Sequence, residues 1–318
     1  MSQAGAASRS PRTRELFARE GEAQALADRL PDLLLEAQRI AHTVAHGVHG
    51  RRRAGPGETF WQFRQLQTGD PAHLVDWRRS ASSDHLYVRE REWEAAHTVW
   101  LWPDVSRSME FKSRAVAHHK SDRALVLALA FGEMLVRAGE RIGLLGLTPP
   151  SASRQATMRM AEHMAAELTA RPVQPSLPPA PERLSRFSTV AMFSDFLDPP
   201  AEIEARLSKI ASAGLRGHLV QVLDPAEETL PYDGRTEFLG LEDGTRWVAD
   251  RVETLKPEYQ RRLLAHRASI AAIAHRFGWS FLVHHTDRSA AEPLLALMMR
   301  ISGGDKGAPM PSFVGGAR

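Results

Sequence analysis

The sequence predicts an α/β protein with a mostly parallel sheet, because short apolar strands alternate with amphipathic helices over most of the chain. The alternation begins with the apolar run Thr98–Trp102, which is followed by helical apolar spacing over Lys120–Ala138. It continues as β-α-β-α-β-α-β, and such an order implies right-handed crossovers with helices on both faces of the sheet. With 318 residues, 43% of them hydrophobic, the chain can build one large domain or a domain with an extension.

The later elements are predicted from apolar runs of strand length and from three- and four-residue apolar spacing. Gly139 follows the helix Lys120–Ala138, as expected at a helix C-terminus. Alternation around Glu242-Asp243-Gly244 predicts a hairpin inserted at 232–250. The other predicted elements are the strands Ile142–Leu147, Thr189–Phe193, Leu219–Leu223 and Ser280–Val283, and the helices Gln155–Leu168, Pro199–Ala213, Pro257–Phe277 and Ala290–Ile301.

The N-terminal part precedes this sheet. Leucines at helical spacing predict a helix over Arg14–His46, started or kinked at Pro31, and Leu86–Val88 has strand character. We therefore expect a disordered tail at 1–13, a helix and extension packed on the sheet at 14–95, the α/β domain at 96–302, and a flexible tail at 303–318.

Composition excludes several classes of protein. The absence of cysteine excludes disulfides and thiolate zinc sites and agrees with a cytoplasmic location. The longest apolar stretch, Leu125–Val136, is too short to span a bilayer and contains Glu133, and Met1–Arg14 lacks the apolar segment of a secretory signal. Net charge is only +3, so the basic cluster Arg51-Arg52-Arg53 does not make nucleic acid an expected partner.

An acid and two hydroxyls follow the first strand of the predicted sheet, as Asp104-x-Ser106-x-Ser108. Asp195 follows a later strand in the same way. Because the carboxyl ends of parallel strands meet at one edge of a sheet, these oxygen ligands can converge and suit Mg²⁺. The alternative is that Asp104, Ser106, Ser108 and Asp195 cap helices and form turns, where Asp and Ser are favoured.

Motifs around this cluster resemble those of the bacterial family called domain of unknown function 58. The matching segments run in order from Gly57 to Leu147: Gly57-Glu58-Thr59-Phe60, Arg64, Gly69-Asp70-Pro71, Val75-Asp76-Trp77, Leu86-Tyr87-Val88-Arg89-Glu90, the Asp104 cluster, and Gly139-Glu140-Arg141-Ile142-Gly143. The resemblance implies a von Willebrand factor A-like, Rossmann-like fold with a metal-ion-dependent adhesion site.

By that resemblance Asp104, Ser106, Ser108 and Asp195 are expected to hold Mg²⁺ or Mn²⁺. Such sites also use a distant threonine, for which Thr148 and Thr157 are the candidates, and Pro103 stands where the family pattern has an apolar residue. Proteins resembling this family are often encoded beside MoxR-type AAA+ ATPases. The resemblance thus implies an adaptor that works with such an ATPase in complex assembly or maturation.

The extension supplies a second candidate surface of charged residues around a tryptophan. One interpretation is an ion-pair network in which Trp77 is a buried anchor that holds the extension against the sheet. The other is a partner-docking surface. The residues of both interpretations are Arg64, Asp70, Asp76, Trp77, Arg78 and Arg89.

Catalytic motifs are weaker. His42, His46 and His49 could share a helical face for zinc, and His118-His119 with His284-His285-Thr286-Asp287 invite a triad, but the chain has no Gly-x-Ser-x-Gly elbow. It also lacks a phosphate-binding Gly-x-x-x-x-Gly-Lys-Ser/Thr loop. Two hypotheses follow: a non-catalytic adaptor without a small-molecule substrate, or a metal-dependent hydrolase at the Asp104 loop with Asp198 or His118 as base.

Overall fold

The central sheet of the protein is fully parallel. The computed structural model describes residues 11–48, 60–67, 75–83, 85–91, 96–171, 173–180, 184–185, 187–242 and 244–302. Within these ranges the sheet has five strands: β3 (Thr98–Pro103), β4 (Arg141–Leu144), β5 (Thr189–Ser194), β6 (Arg216–Leu223) and β9 (Ser280–His285). They pair in the order β4-β3-β5-β6-β9, which confirms the predicted sheet.

Helices cover both faces of this sheet, as predicted. One face packs against α3 (Lys120–Arg137), α4 (Ala156–Ala170) and α8 (Ala291–Ser302), and the other against α5 (Pro200–Ser212) and α7 (Lys256–Arg276). A short helix, α6 (Pro225–Thr229), follows β6.

Strand β3 shows why both faces are needed. Val99 and Leu101 enter the core with α3, whereas Trp100 and Trp102 enter the core with α5 and α7. All four side chains are at most 8% exposed. A strand buried on both sides reads as a continuous apolar run rather than an alternating one, which is the pattern that predicted it.

Helix α3 is the central helix of its layer, with 15 of its 18 residues buried. It ends before Gly139, whose φ of 90° favours glycine. The long helix α1 (Pro11–Val48) packs chiefly against α3, α4 and α8. Because α3 covers that face of the sheet, α1 forms a second layer over it, while the division of the chain into 14–95 and 96–302 stays a prediction.

Two small antiparallel pairs stand beside the central sheet. In the extension, β1 (Phe60–Gln65) pairs with β2 (Tyr87–Arg91), and the four-residue helix α2 (Trp77–Ser80) lies between them in sequence. The predicted hairpin insertion is confirmed as β7 (Thr236–Leu239) paired with β8 (Arg246–Ala249).

The strand order places a crevice between β3 and β5. From β3 the chain moves to one neighbour, β4, and then returns past β3 to add β5 on its other side. Such a reversal of winding is the topological switch point, where open α/β sheets bind ligands at the carboxyl ends of the strands. Asp104 and Asp195 directly follow the two strands that flank it.

Gly217 in β6 lies against the ring of Trp279, whose indole Nε1 donates to the Leu215 carbonyl over 3.1 Å. A Cβ at position 217 would stand 2.1 Å from that ring. We expect Gly217→Ala to lower the free energy of unfolding by about 1–3 kcal/mol through overpacking, measured by urea denaturation. Gly21→Ala in α1, where the added Cβ meets nothing within 4 Å, is the matched control and should not destabilise. Equal stability of both variants would contradict the packing.

Candidate functional site

The structure brings Asp104 and Asp195 to the same edge of the sheet. The Asp104 N–H donates to the Phe193 carbonyl over 2.8 Å, and the Ser194 hydroxyl donates to Asp104 Oδ2 over 2.6 Å. Asp104 is 0% and Asp195 2% exposed. Both aspartates are thus buried, and two hydrogen bonds join Asp104 to the end of β5.

Both aspartates also shape their own loops. Asp104 Oδ1 accepts from the Ser106 N–H at 2.8 Å, and Asp195 Oδ1 accepts from the Leu197 N–H at 3.2 Å. A carboxylate that accepts from the backbone two residues on forms an Asx turn. The Ser106 and Ser108 hydroxyls lie 3.2 Å apart and bond to each other. These contacts support the turn-forming interpretation of the cluster.

Lys120, the first residue of α3, is the functional side chain that sequence reasoning missed. Its Nζ donates to Asp195 Oδ2 over 2.9 Å and to Glu227 Oε1 over 2.6 Å. The side chain is 1% exposed, and its Nζ lies 5.9 Å from the centre of the Phe111 ring. One buried ammonium therefore bridges two carboxylates from the loops after β5 and β6.

The buried charges alter each other's protonation. Burial and the neighbouring Asp195 raise the pKa of the Asp104 carboxyl to about 8, despite hydrogen bonds from Ser194 and Ser106. Burial by itself lowers the pKa of Lys120, but Asp195 and Glu227 together outweigh it and raise that pKa above its ordinary value. Burial likewise raises the pKa of Glu227, against the opposing effect of Lys120. The two carboxylates therefore favour the charged form of Lys120.

The third strand end of the edge also carries an acid. Asp224 follows β6, where its two carboxylate oxygens accept from the Ala226 N–H at 2.8 Å and the Ser113 N–H at 2.7 Å. In turn, the Glu227 carboxylate accepts from the Asp224 N–H at 2.9 Å, and this second bond completes a capping box at the start of α6. The same strand-end argument that found Asp104 and Asp195 could have found Asp224 and Glu227.

The candidate threonines do not join this cluster. The Thr148 hydroxyl accepts from the Leu144 N–H over 2.9 Å, and the Thr157 hydroxyl donates to Glu133 over 3.0 Å. Instead the hairpin reaches the edge: Oε1 of the exposed Glu242 accepts from the Ser108 N–H at 2.8 Å.

The donor set does not fit a divalent cation. Of the two Asp195 oxygens, one accepts from the Lys120 ammonium and the other from a backbone N–H. Among the described residues no group of three or more His, Asp or Glu side chains could hold a metal ion. Ligation by Asp104, Ser106, Ser108 and Asp195 stays a prediction from the resemblance, and these contacts speak against it.

The structure corrects the prediction for Trp77. Its side chain is 65% exposed, so it is not a buried anchor. The short helix α2 turns it outward, while Val75 and Val88 bridge and are buried behind it. Asp76 caps α2, accepting from the Arg79 N–H at 2.9 Å. Of the other predicted docking residues, Arg78 is exposed, Arg64 and Arg89 lie on β1 and β2, and Asp70 is outside the described residues.

The histidines serve separate contacts. His119 Nδ1 bonds to the Glu110 carbonyl at 2.9 Å, His285 pairs with Glu228, and His284 is buried. Of the helical histidines, His42 is exposed, whereas His49 lies outside the described residues. Of the proposed bases, Asp198 accepts from the Ser176 hydroxyl at 2.9 Å.

The fold and site define a class: an α/β protein with a five-stranded parallel sheet, an N-terminal extension and a largely buried polar cluster at the carboxyl edge of the sheet. The family follows from the comparison with known proteins. Residues 62–269 match the family described as "Protein of unknown function DUF58", and the chain belongs to it.

The relatives include mycobacterial proteins whose descriptions read "uncharacterized protein". Proteins of Mycobacterium bovis and Mycobacterium tuberculosis are 27% identical over 277 residues, which cover 83% of this chain and 86% of theirs. Two solved structures resemble it: an aerotolerance-related membrane protein of Bacteroides fragilis (TM-score 0.37, 16% identity) and the conserved hypothetical protein BatB of Bacteroides thetaiotaomicron (TM-score 0.33, 14% identity). They cover 65% and 66% of this chain and are covered completely. Within the described ranges, none of the helices has the length and apolarity required to cross a membrane.

Proposed function

We propose that the chain is a non-catalytic protein-docking module and that Trp77 and Arg78 on α2 form the centre of its contact surface. The observation that carries this proposal is the outward position of Trp77, which is 65% exposed. The exposed Arg78 follows it directly. Tryptophan and arginine are the side chains that most often dominate the energy of protein interfaces.

The turn that presents Trp77 is held firmly. Asp76 caps the helix through the Arg79 N–H, and the Ser80 hydroxyl donates to the Asp76 carbonyl at 2.8 Å. The same hydroxyl accepts from the Tyr87 N–H at 2.9 Å and so ties α2 to β2. A pre-organised aromatic side chain loses little conformational entropy on binding, which favours affinity.

The charge of this surface selects the partner. The predicted docking set holds three arginines, Arg64, Arg78 and Arg89, against two aspartates, Asp70 and Asp76; of these charged side chains the structure describes Arg78 and Asp76. A basic surface around an aromatic residue suits an acidic face of a folded protein. The family resemblance suggests that the partner is a MoxR-type AAA+ ATPase, which the chain would bind in the cytoplasm during complex assembly or maturation.

Burial of the edge cluster supports a role without catalysis. Asp104, Lys120 and Asp195 are at most 2% exposed; Lys120 donates to Asp195, and Asp104 accepts from the neighbouring Ser194. A catalytic group has to reach a substrate, and these groups face only protein. The hydrolase alternative would require Asp198 or His118 to act as base on a substrate at the Asp104 loop, where Asp104 is 0% and Ser106 1% exposed.

Trp77→Ala is expected to weaken binding of a purified MoxR-type ATPase at least about 30-fold, as for the loss of an interface hot spot of about 2 kcal/mol. Isothermal titration calorimetry measures the Kd. Trp247→Ala is the matched control, since Trp247 in β8 is also largely exposed, at 53%, but lies outside the proposed surface. It should bind like the wild type.

Arg78→Glu should weaken the same complex, and its affinity should fall with added salt less steeply than that of the wild type. Equal losses for Trp77→Ala and Trp247→Ala, or none for either, would refute α2 as the contact surface. Turnover of an ester or phosphate library that Asp198→Asn abolishes would instead establish the hydrolase.

A further inference from the structure

We propose that Lys120 is the resident cation of the carboxyl edge, and that its ammonium takes the place at Asp195 that the family resemblance assigns to a divalent metal ion. This role of Lys120 is independent of the proposed docking function. Three features support it: the contacts of Lys120, its position in α3, and the hydrogen bonds that hold its two carboxylates.

Both oxygens of Asp195 already accept hydrogen bonds, and one of these bonds comes from an ammonium. Nζ of Lys120 lies 2.9 Å from Oδ2, and the Leu197 N–H lies 3.2 Å from Oδ1. A magnesium ion needs an oxygen at about 2.0–2.1 Å with near-octahedral geometry. An ion bound there would share a carboxylate with an ammonium in a space closed to water, where repulsion between like charges is weakly screened.

The position of Lys120 in its helix points the same way. It is the first residue of α3, where the free N–H groups carry partial positive charge and favour acidic side chains. A lysine buried at such a position is unfavourable on its own. The carboxylates of Asp195 and Glu227 compensate for it, and they in turn require a cation.

Glu227 is held independently of Lys120. Its Oε2 accepts from the Asp224 N–H at 2.9 Å, and its own carbonyl accepts from the Tyr259 hydroxyl at 2.5 Å. Asp195 is fixed by its turn and by Gln221, whose side-chain amide donates to the Asp195 carbonyl at 2.8 Å. The two carboxylates are thus pre-organised around one cation, and the chain supplies that cation itself.

The test is Mn²⁺ binding measured by electron paramagnetic resonance at neutral pH. Wild-type protein should show no saturable site tighter than about 1 mM that depends on Asp195. Lys120→Ala removes the ammonium and leaves the two carboxylates, so it should gain a saturable Mn²⁺ site with a Kd of about 0.1 mM or less, tenfold below the limit expected for the wild type. Lys120→Ala/Asp195→Asn should lose it again. Lys256→Ala, which removes a surface lysine paired with Asp233, is the matched control and should gain nothing.

Each outcome decides the proposal. A saturable wild-type site that Asp195→Asn abolishes overturns it, as does a folded Lys120→Ala variant that gains no Mn²⁺. If wild-type Mn²⁺ binding persists in Asp195→Asn, the ion binds at a site other than Asp195, which agrees with the proposal. If Lys120→Ala folds only when Mn²⁺ is present, the metal has replaced the ammonium as expected; if it folds under neither condition, the wild-type measurement decides.

Discussion

Lys120→Met should lower the free energy of unfolding by about 3–5 kcal/mol, the loss expected when one partner of a buried ion pair is removed. Methionine has the length of the lysine stem but no charge. It would leave Asp195, which is 2% exposed, and the largely buried Glu227 facing each other without a cation. Denaturant titration followed by tryptophan fluorescence measures the change.

Two variants separate charge from shape. Lys120→Met/Asp195→Asn/Glu227→Gln keeps the volumes and removes all three charges, so it should recover most of the lost stability. Lys256→Met breaks the surface pair with Asp233, which is 80% exposed, and should cost no more than about 1 kcal/mol. A loss below about 1 kcal/mol for Lys120→Met, equal to that of Lys256→Met, would show that the bridge does not compensate buried charge.

The central sheet could be predicted because its information is local. In β3 every residue from Val99 to Trp102 is buried on one face or the other, so the strand appears in the sequence as an unbroken apolar run. The helices carry apolar stripes, and Gly139 ends α3 where a positive φ is needed. The edge position of Asp104 and Asp195 followed from these elements, since each residue directly follows its strand.

The contacts that define the site could not be predicted, because they join distant parts of the chain. Lys120 is 75 residues from Asp195 and 107 from Glu227, and Ser108 is 134 residues from Glu242. A lysine at the head of an apolar helix gives no local sign of the acids it will meet. Only the order of the strands, with β5 and β6 adjacent beside β3, brings those loops together.

Trp77 shows a different limit. An aromatic residue among charged ones predicts either an anchor or a binding surface, and composition does not separate them. The outcome depends on α2, which has only four residues and buries Ser80. Val75 and Val88, which form a bridge, are buried, whereas Trp77 is exposed. The choice between anchor and binding surface thus depends on tertiary packing around α2, which the sequence does not show.

Acidification should unfold the protein in part through His284. This side chain is 3% exposed on β9, and burial, followed by Arg123 and His285, lowers its pKa to about 3 from the ordinary 6.5. Between those values the unfolded chain binds a proton that the folded chain does not. The stability that the neutral ring contributes is therefore complete above pH 6.5 and is lost as pH falls, by up to about 1.4 kcal/mol per pH unit.

The difference between wild type and His284→Gln isolates this effect. Glutamine does not titrate, so the stability of the wild type relative to the variant should fall by about 2–3 kcal/mol between pH 7.5 and pH 4.5 in urea denaturation. Burial, followed by Arg300, lowers the pKa of His218 to about 4. We therefore expect a similar loss of stability for the wild type relative to His218→Gln. A constant difference for His284→Gln would instead mean that the His284 ring accepts a proton in the folded state. Water would then have to reach Nε2, which has no hydrogen-bond partner among the described residues.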